Sequence, residues 1–151
     1  MIKVYIDADG CPVTDICIRL CKTSGCECFI ICDDAHNIRR ESAVSITVSK
    51  GADSADFALV NMIGTKKSIV VTADYGLAAM CLAKNAKVIN PDGLLYTSEN
   101  IDGLLFYRHE AKKAKRAGKR LSHIPKRTKS QDEQFEKSLL KLIDEMSDEF
   151  L

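Results

Sequence analysis

Short apolar runs alternate with helical patterns through the first two thirds of the chain. Five runs read as buried strands: IKVYI (2–6), CECFIIC (26–32), VSITV (44–48), SIVVT (68–72) and AKVIN (86–90). Between them the hydrophobic period lengthens. PVTDICIRLCKTSG places Pro12 at a helix start and Gly25 at its end, the order that suits helix termini. DSADFALVNMIG sets Phe57, Val60 and Ile63 at helical spacing and stops at Gly64. DYGLAAMCLAKN is a short apolar helix ahead of AKVIN, and the polar DDAHNIRRES after Cys32 suits a short helix or a loop. Strands alternating with helices in this way predict a parallel sheet covered on both faces. Right-handed crossovers make it an α/β fold, a three-layer α/β/α sandwich with a mostly parallel sheet of about five strands.

The last third has a different pattern. SENIDGLLFYRHEAKKAKRAG reads as a helix that turns basic, HIPKRTKSQ as a loop, and DEQFEKSLLKLIDEM as an amphipathic helix with Phe135, Leu139, Leu142 and Ile143 on one face. Residues 1–107 are therefore expected to form the α/β domain. Residues 108–151 are expected to add a basic helical segment and an amphipathic helix packed on the same domain.

Net charge is +1, but it is unevenly spread. Residues 1–107 carry 10 basic and 13 acidic side chains, residues 108–129 carry 10 basic against Glu110 alone, and residues 130–151 carry 2 basic and 7 acidic. A concentrated basic segment binds polyanions whatever the overall charge. Arg108, Lys112, Lys113, Lys115, Arg116, Lys119, Arg120, Lys126 and Arg127 are the candidate contacts to a nucleic-acid backbone, with RNA ahead of DNA as the partner. His36, His109 and His123 are scattered and read as surface or loop residues. The segment has one tyrosine, Tyr107, and no tryptophan, so no base-stacking platform is evident.

No run approaches the ~20 apolar residues of a membrane span. The first residues enter a strand directly, without the regions of a signal peptide, so a cytoplasmic protein without a membrane partner is expected. Seven cysteines, an odd number, argue against a disulfide framework in that setting. Six fall within residues 11–32, but none form paired CxxC knuckles. Cys17 and Cys21 are one helical turn apart, and Cys26 and Cys28 share a strand face. All seven are expected to be reduced core residues that bind no metal.

The acids carry the candidate chemistry. Ligands of parallel α/β sheets bind outside the carboxyl ends of the strands. Asp7 and Asp9 end the first strand in IDADGCPV, Asp74 follows SIVVT, and Asp53 and Asp56 open the helix after VSITV, three residues apart on one face. Converging carboxylates repel unless a cation sits among them. An all-oxygen site suits Mg²⁺ or Mn²⁺, and such ions support phosphodiester hydrolysis. Asp53 and Asp74 also suit helix capping. Asp33, Asp34 and Asp92 read as turn residues.

VYIDADGCPV, KGADSADFALV and IVVTADYGLAAMCLAKNAKVIN, with RHEAKKAKRAGKR, PKRT and DEQFEKSLLKLI in the tail, resemble the YaiI/YqxD family of bacterial proteins over nearly the whole chain. Gly10 stands where that family usually has Ala. The family is similar to PIN-like nuclease domains, which implies an α/β/α sandwich and a metal site. By that resemblance Asp7 is the strand-1 acid, Asp53 or Asp56 the helical acid and Asp74 the late-strand acid. Asp9 belongs to the family's own motif, and Thr72 orients a carboxylate or a water. The catalytic set is then Asp7, Asp56 and Asp74. Two alternatives stay open. One is a nucleic-acid-binding module that does not cleave. The other is a phosphohydrolase of the haloacid dehalogenase type, because IDADG resembles its DxDG motif, with Lys84 or Lys87 as its lysine.

Overall fold

The computed structural model describes residues 1–33, 40–48, 54–64, 67–118 and 125–148. Six strands and five helices follow in the order β1 (Lys3–Asp7), α1 (Thr14–Ser24), β2 (Glu27–Asp33), β3 (Val44–Val48), α2 (Ser54–Met62), β4 (Ser68–Val71), α3 (Tyr75–Ala83), β5 (Lys87–Ile89), β6 (Leu95–Tyr96), α4 (Ile101–Arg116) and α5 (Lys129–Asp148). The strands lie in the order β3-β2-β1-β4-β5-β6. All neighbours are parallel except β5 and β6, where Val88 faces Tyr96 and Ile89 faces Leu95. The fold is the expected three-layer α/β/α sandwich, with β6 added as a two-residue antiparallel edge.

The alternation of β1 shows how the layers form. Val4 and Ile6 enter the core under α1 and α5, while Tyr5 enters the core under α2, α3 and α4. Successive side chains of a strand point to opposite faces. A strand apolar at every position therefore needs a helix layer on each side, and Val4, Tyr5 and Ile6 are all at most 2% exposed. The chain's last described helix is part of this core. Phe135, Leu139, Leu142 and Ile143 of α5 are buried against strand and α1 residues, as their spacing predicts. Full burial of such a side chain is worth roughly 1.5–3 kcal/mol.

Several details differ from the sequence reading. α1 begins at Thr14 with Val13 as its N-cap, not at Pro12, because residues 8–11 form a tight turn closed by the Cys11 N–H on the Ala8 carbonyl. Gly10 takes φ +74° in that turn, a left-handed conformation that glycine adopts without strain. The buried face of α2 is formed by Leu59, continued by Ile63 just beyond the helix, whereas Phe57 is 58% exposed. Two residues before Leu59 on a helix is more than half a turn away, so Phe57 faces outward. α5 starts at Lys129, inside the stretch read as a loop. The segment after Asp33 lies outside the described residues up to Arg40.

The turn between β5 and β6 is clamped to α5. A Cβ on Gly93 would stand 2.8 Å from Ser138 Oγ and 2.9 Å from the Gln134 carbonyl oxygen, at a φ of +90°. Arg127 reinforces the junction. Its guanidinium donates to the Pro91 carbonyl (2.6 Å), to Asp92 (3.0 Å) and to Asp132 (2.6 Å).

Candidate metal centre

The strand order fixes where a ligand can bind. From β1 the chain steps outward to β2 and β3, then returns across β1 to β4 and continues to β5 on the other side. The crossovers on the two sides of the β1–β4 boundary diverge, and the crevice between them at the carboxyl edge is the switch point of the sheet. Asp7 is the last residue of β1, and Thr72 and Asp74 follow β4 directly. The sequence places acids at strand ends; the pairing of β1 with β4 brings them together.

Thr72 is the hub of the contact. It is 1% exposed. Its Oγ1 donates to Asp7 Oδ2 at 2.8 Å and accepts from the Asp74 backbone N–H at 3.0 Å. One hydroxyl hydrogen is committed to Asp7, so the orientation of both acids is coupled. Asp74 caps α3 through Oδ1, which accepts from the backbone N–H groups of Gly76 (2.8 Å) and Leu77 (3.2 Å). The same oxygen receives Arg108 Nη1 at 3.3 Å. Capping and cleft lining are thus both roles of Asp74.

Asp9 lies in the turn after β1, where its Oδ2 accepts from the Asp33 backbone N–H at 3.3 Å. Asp56 is in the first turn of α2. These side chains line one cleft of about 610 Å³: Asp7, Asp9, Asp33, Asp56 and Asp74, with Thr72, Tyr75, Pro91 and Arg108. Five carboxylates face one guanidinium, so the cleft carries strongly negative potential. Asp7 registers it. Burial raises its carboxyl pKa above the ordinary value; the Thr72 hydrogen bond opposes this, and the charges of Asp74 and Asp9 add to the rise. The effect reaches Cys81, whose thiol is pushed up to about 12 by burial, with Asp56 and Asp7 contributing.

A donor set made of carboxylates fits a hard divalent cation and not a thiophilic one. The acids are spread around the cleft. Among the described residues, no three of them bring ligand oxygens within 4.8 Å of one another, a closeness reached only by Cys17, Cys21 and Cys28. Ligand oxygens around one Mg²⁺ are at most ~4.2 Å apart at ~2.1 Å bonds, so three of these acids meet one ion only if their side chains move together or act through its water shell.

The expected basic residues are placed in three ways. Arg108 reaches into the cleft and pairs with Asp74. Lys112, Lys113, Lys115 and Arg116 are exposed on α4, and no ion pair among the described residues engages them. Arg108, Lys112 and Lys115 are spaced i, i+4 and i+7, so they form one stripe leading out of the cleft. Lys126 is exposed in the segment before α5. Arg127 differs, because its donors are engaged by Pro91, Asp92 and Asp132. Pro91 lines the cleft, so Arg127 supports its wall. Asp53, Lys119 and Arg120 lie outside the described residues. Asp33, read as a turn residue, ends β2 beside β1 and belongs to the cleft; the carboxyl-edge rule that found Asp7 applies equally to it.

Together these features define an α/β/α sandwich protein with a carboxylate-lined cleft at its switch point. The chain belongs to the YaiI/YqxD family: the family model described as "Uncharacterized BCR, YaiI/YqxD family" matches residues 5–145. It is similar to the UPF0178 protein of Exiguobacterium sibiricum, 47% identical over 146 residues that span 97% of this chain and 99% of the relative. The UPF0178 protein of Ruminiclostridium cellulolyticum is 48% identical over 141 residues, 93% and 92% of the two chains. That of Alkaliphilus oremlandii is 45% identical over 143 residues, 95% and 92%. No solved structure matches the chain significantly. Among the described residues, no helix is long and apolar enough to cross a membrane.

Proposed function

We propose that this protein is a divalent-metal-dependent nuclease of PIN-like type that hydrolyses RNA or DNA phosphodiesters, with RNA ahead of DNA as the expected partner. The observation that carries the reading is the gathering of Asp7, Asp9, Asp33, Asp56 and Asp74 in one cleft at the β1–β4 switch point. Asp7, Asp56 and Asp74 would hold Mg²⁺ or Mn²⁺, with Asp9 beside them. Bound there, the ion supplies charge neutralisation at the phosphate and a more acidic water.

The chain's own residues do the remaining work. Thr72 holds the Asp7 carboxylate in place through its 2.8 Å hydrogen bond. The described contacts of Asp74 all fall on Oδ1, which leaves its other oxygen for a ligand. Arg108 meets a phosphate at the cleft mouth, and Lys112 and Lys115 continue its stripe along the backbone of the strand. Such contacts are blind to base sequence.

The rival phosphohydrolase needs a lysine near Asp7. Lys84 is the C-cap of α3 and Lys87 opens β5, which puts both at the opposite end of the sheet from the cleft.

The test is a cleavage assay on single-stranded RNA and DNA with Mg²⁺ or Mn²⁺, beside a phosphomonoester. RNA cleavage by the wild type, lost in Asp7→Asn and Asp74→Asn, is the expected result. Binding with no cleavage under any metal supports the non-catalytic module instead, and turnover of the monoester alone supports the phosphohydrolase.

A further inference from the structure

At the amino end of the sheet, away from the acidic cleft, the molecule holds a second gathering of ligand atoms. α1 presents Cys17 and Cys21 one turn apart on its buried side, and β2 presents Cys28 on the face that α1 covers. The three Sγ atoms all lie within 4.8 Å of one another. The residues are 0%, 1% and 3% exposed. None is in a disulfide. Against the expectation from the sequence that the cysteines bind no metal, we propose that Cys17, Cys21 and Cys28 form a site for one thiophilic, closed-shell metal ion held by three thiolates.

The geometry suits such an ion. A metal–sulfur bond of ~2.3 Å puts the sulfurs of a trigonal or tetrahedral shell roughly 3.8–4.0 Å apart. The observed upper bound of 4.8 Å exceeds that by no more than about 1 Å. Both ligand-bearing elements are regular, packed secondary structure, which holds a site more rigidly than loops do. Buried thiols can also serve simply as small apolar core residues, but that role does not require three sulfurs within 4.8 Å of one another.

The donor set and its surroundings set the selectivity of the site. Cys26 is half-buried, packs against the same core cluster and lines a shallow surface pocket with Met1, Ile2 and Gly25. It stands two residues before Cys28. Loading a divalent ion displaces three thiol protons to solvent and leaves a complex of net charge −1, so affinity rises with pH. Sulfur ligands select soft ions and the carboxylate cleft selects hard ones. The two sites therefore do not compete.

The experiment uses the full chain, reduced and metal-free, titrated with Cd²⁺ in excess Mg²⁺. Thiolate-to-cadmium charge-transfer absorption should rise to an endpoint of one ion per chain, Zn²⁺ should compete for it, and Asp7→Asn should leave it unchanged. Cys28→Ser should weaken binding by at least about 100-fold, since even an outer-shell change costs 10–100-fold. Cys81→Ser, buried under the opposite face of the sheet, should have no effect. Cadmium NMR of the wild type counts sulfur ligands directly and needs no variant. Three sulfurs confirm the site. An absent charge-transfer band, a resonance typical of oxygen ligands, or an affinity for Cd²⁺ unchanged in Cys28→Ser overturns it.

Discussion

The guanidinium of Arg108 lies 3.3 Å from the carboxylate of Asp74, so the one cation among the described residues of the cleft is paired with an acid of the candidate metal set. Both side chains are more than a third exposed, and ion pairs of that kind contribute only ~0–1 kcal/mol. A phosphate can therefore draw Arg108 away at little cost. Arg108→Ala should raise the affinity of the cleft for Mn²⁺ by up to about fivefold, the equivalent of ~1 kcal/mol, while weakening RNA binding. Metal titration and RNA binding on the same preparation check the opposite signs; a fall in both would contradict the pairing.

Asp7 links stability to pH. Burial raises its pKa in the folded state, so the folded protein holds the proton more tightly than the unfolded chain. The protonated form therefore favours folding, and this contribution is lost as pH rises through the raised folded value. Asp7→Asn keeps an acceptor for Thr72 and removes the buried charge. Without divalent metal it should gain on the order of 1 kcal/mol at neutral pH, a typical gain where function was costing stability. It should also lose the acid-side slope due to Asp7. Thermal unfolding across pH is the measurement.

Thr72→Val removes a hydroxyl without changing shape much. It strands the Asp74 backbone N–H and leaves Asp7 without the bond that lowers its pKa. The cost should be about 1–3 kcal/mol, the Asp7 pKa should move further up, and divalent affinity should fall. Thr72→Ser should restore most of each. Denaturant unfolding and carboxyl NMR titration separate the effects.

Neutralising Lys112, Lys113, Lys115 and Arg116 should flatten the salt dependence of nucleic-acid binding by roughly 0.7 in log–log slope for each single-strand phosphate that is no longer neutralised. Metal binding at the cleft should be unchanged. Equal binding by variant and wild type across a salt series would remove the basic helix from the interface.

Gly93→Ala should destabilise the protein strongly, because the new Cβ meets Ser138 Oγ and the Gln134 backbone at under 3.0 Å in a left-handed conformation. Phe135→Ala should cost about 3–5 kcal/mol, as a large side chain fully buried in the core. Chemical denaturation of the two variants checks both.

What can be read from the chain is local. Apolar runs mark β1 to β5 because each strand is buried on both faces, and the α5 stripe shows because its period is helical. β6 has two residues, too few for any pattern. Asp33 reads as a turn residue because its polar neighbours mask its place at a strand end. The proximity of Asp7 to Asp74 depends on β4 lying beside β1, a long-range pairing that no local pattern encodes. Arg127 resembles its basic neighbours in composition; only its partners Pro91, Asp92 and Asp132 reveal a supporting role. Phe57 matches a helical spacing, yet the inward face of α2 is set by which residues meet the sheet.

The placement of α5 has a consequence for biosynthesis. Its residues Phe135, Leu139, Leu142, Ile143 and Met146 close the same core as Val4 and Ile6 of β1 and Cys17 of α1. A ribosome delivers those first elements seconds before it delivers their cover, at roughly 5–20 residues per second. The nascent chain therefore carries an apolar flank with nothing to bury it until α5 has been synthesised. During that interval it is a substrate for chaperones, and a message cut short before the codons of α5 yields a product prone to aggregate.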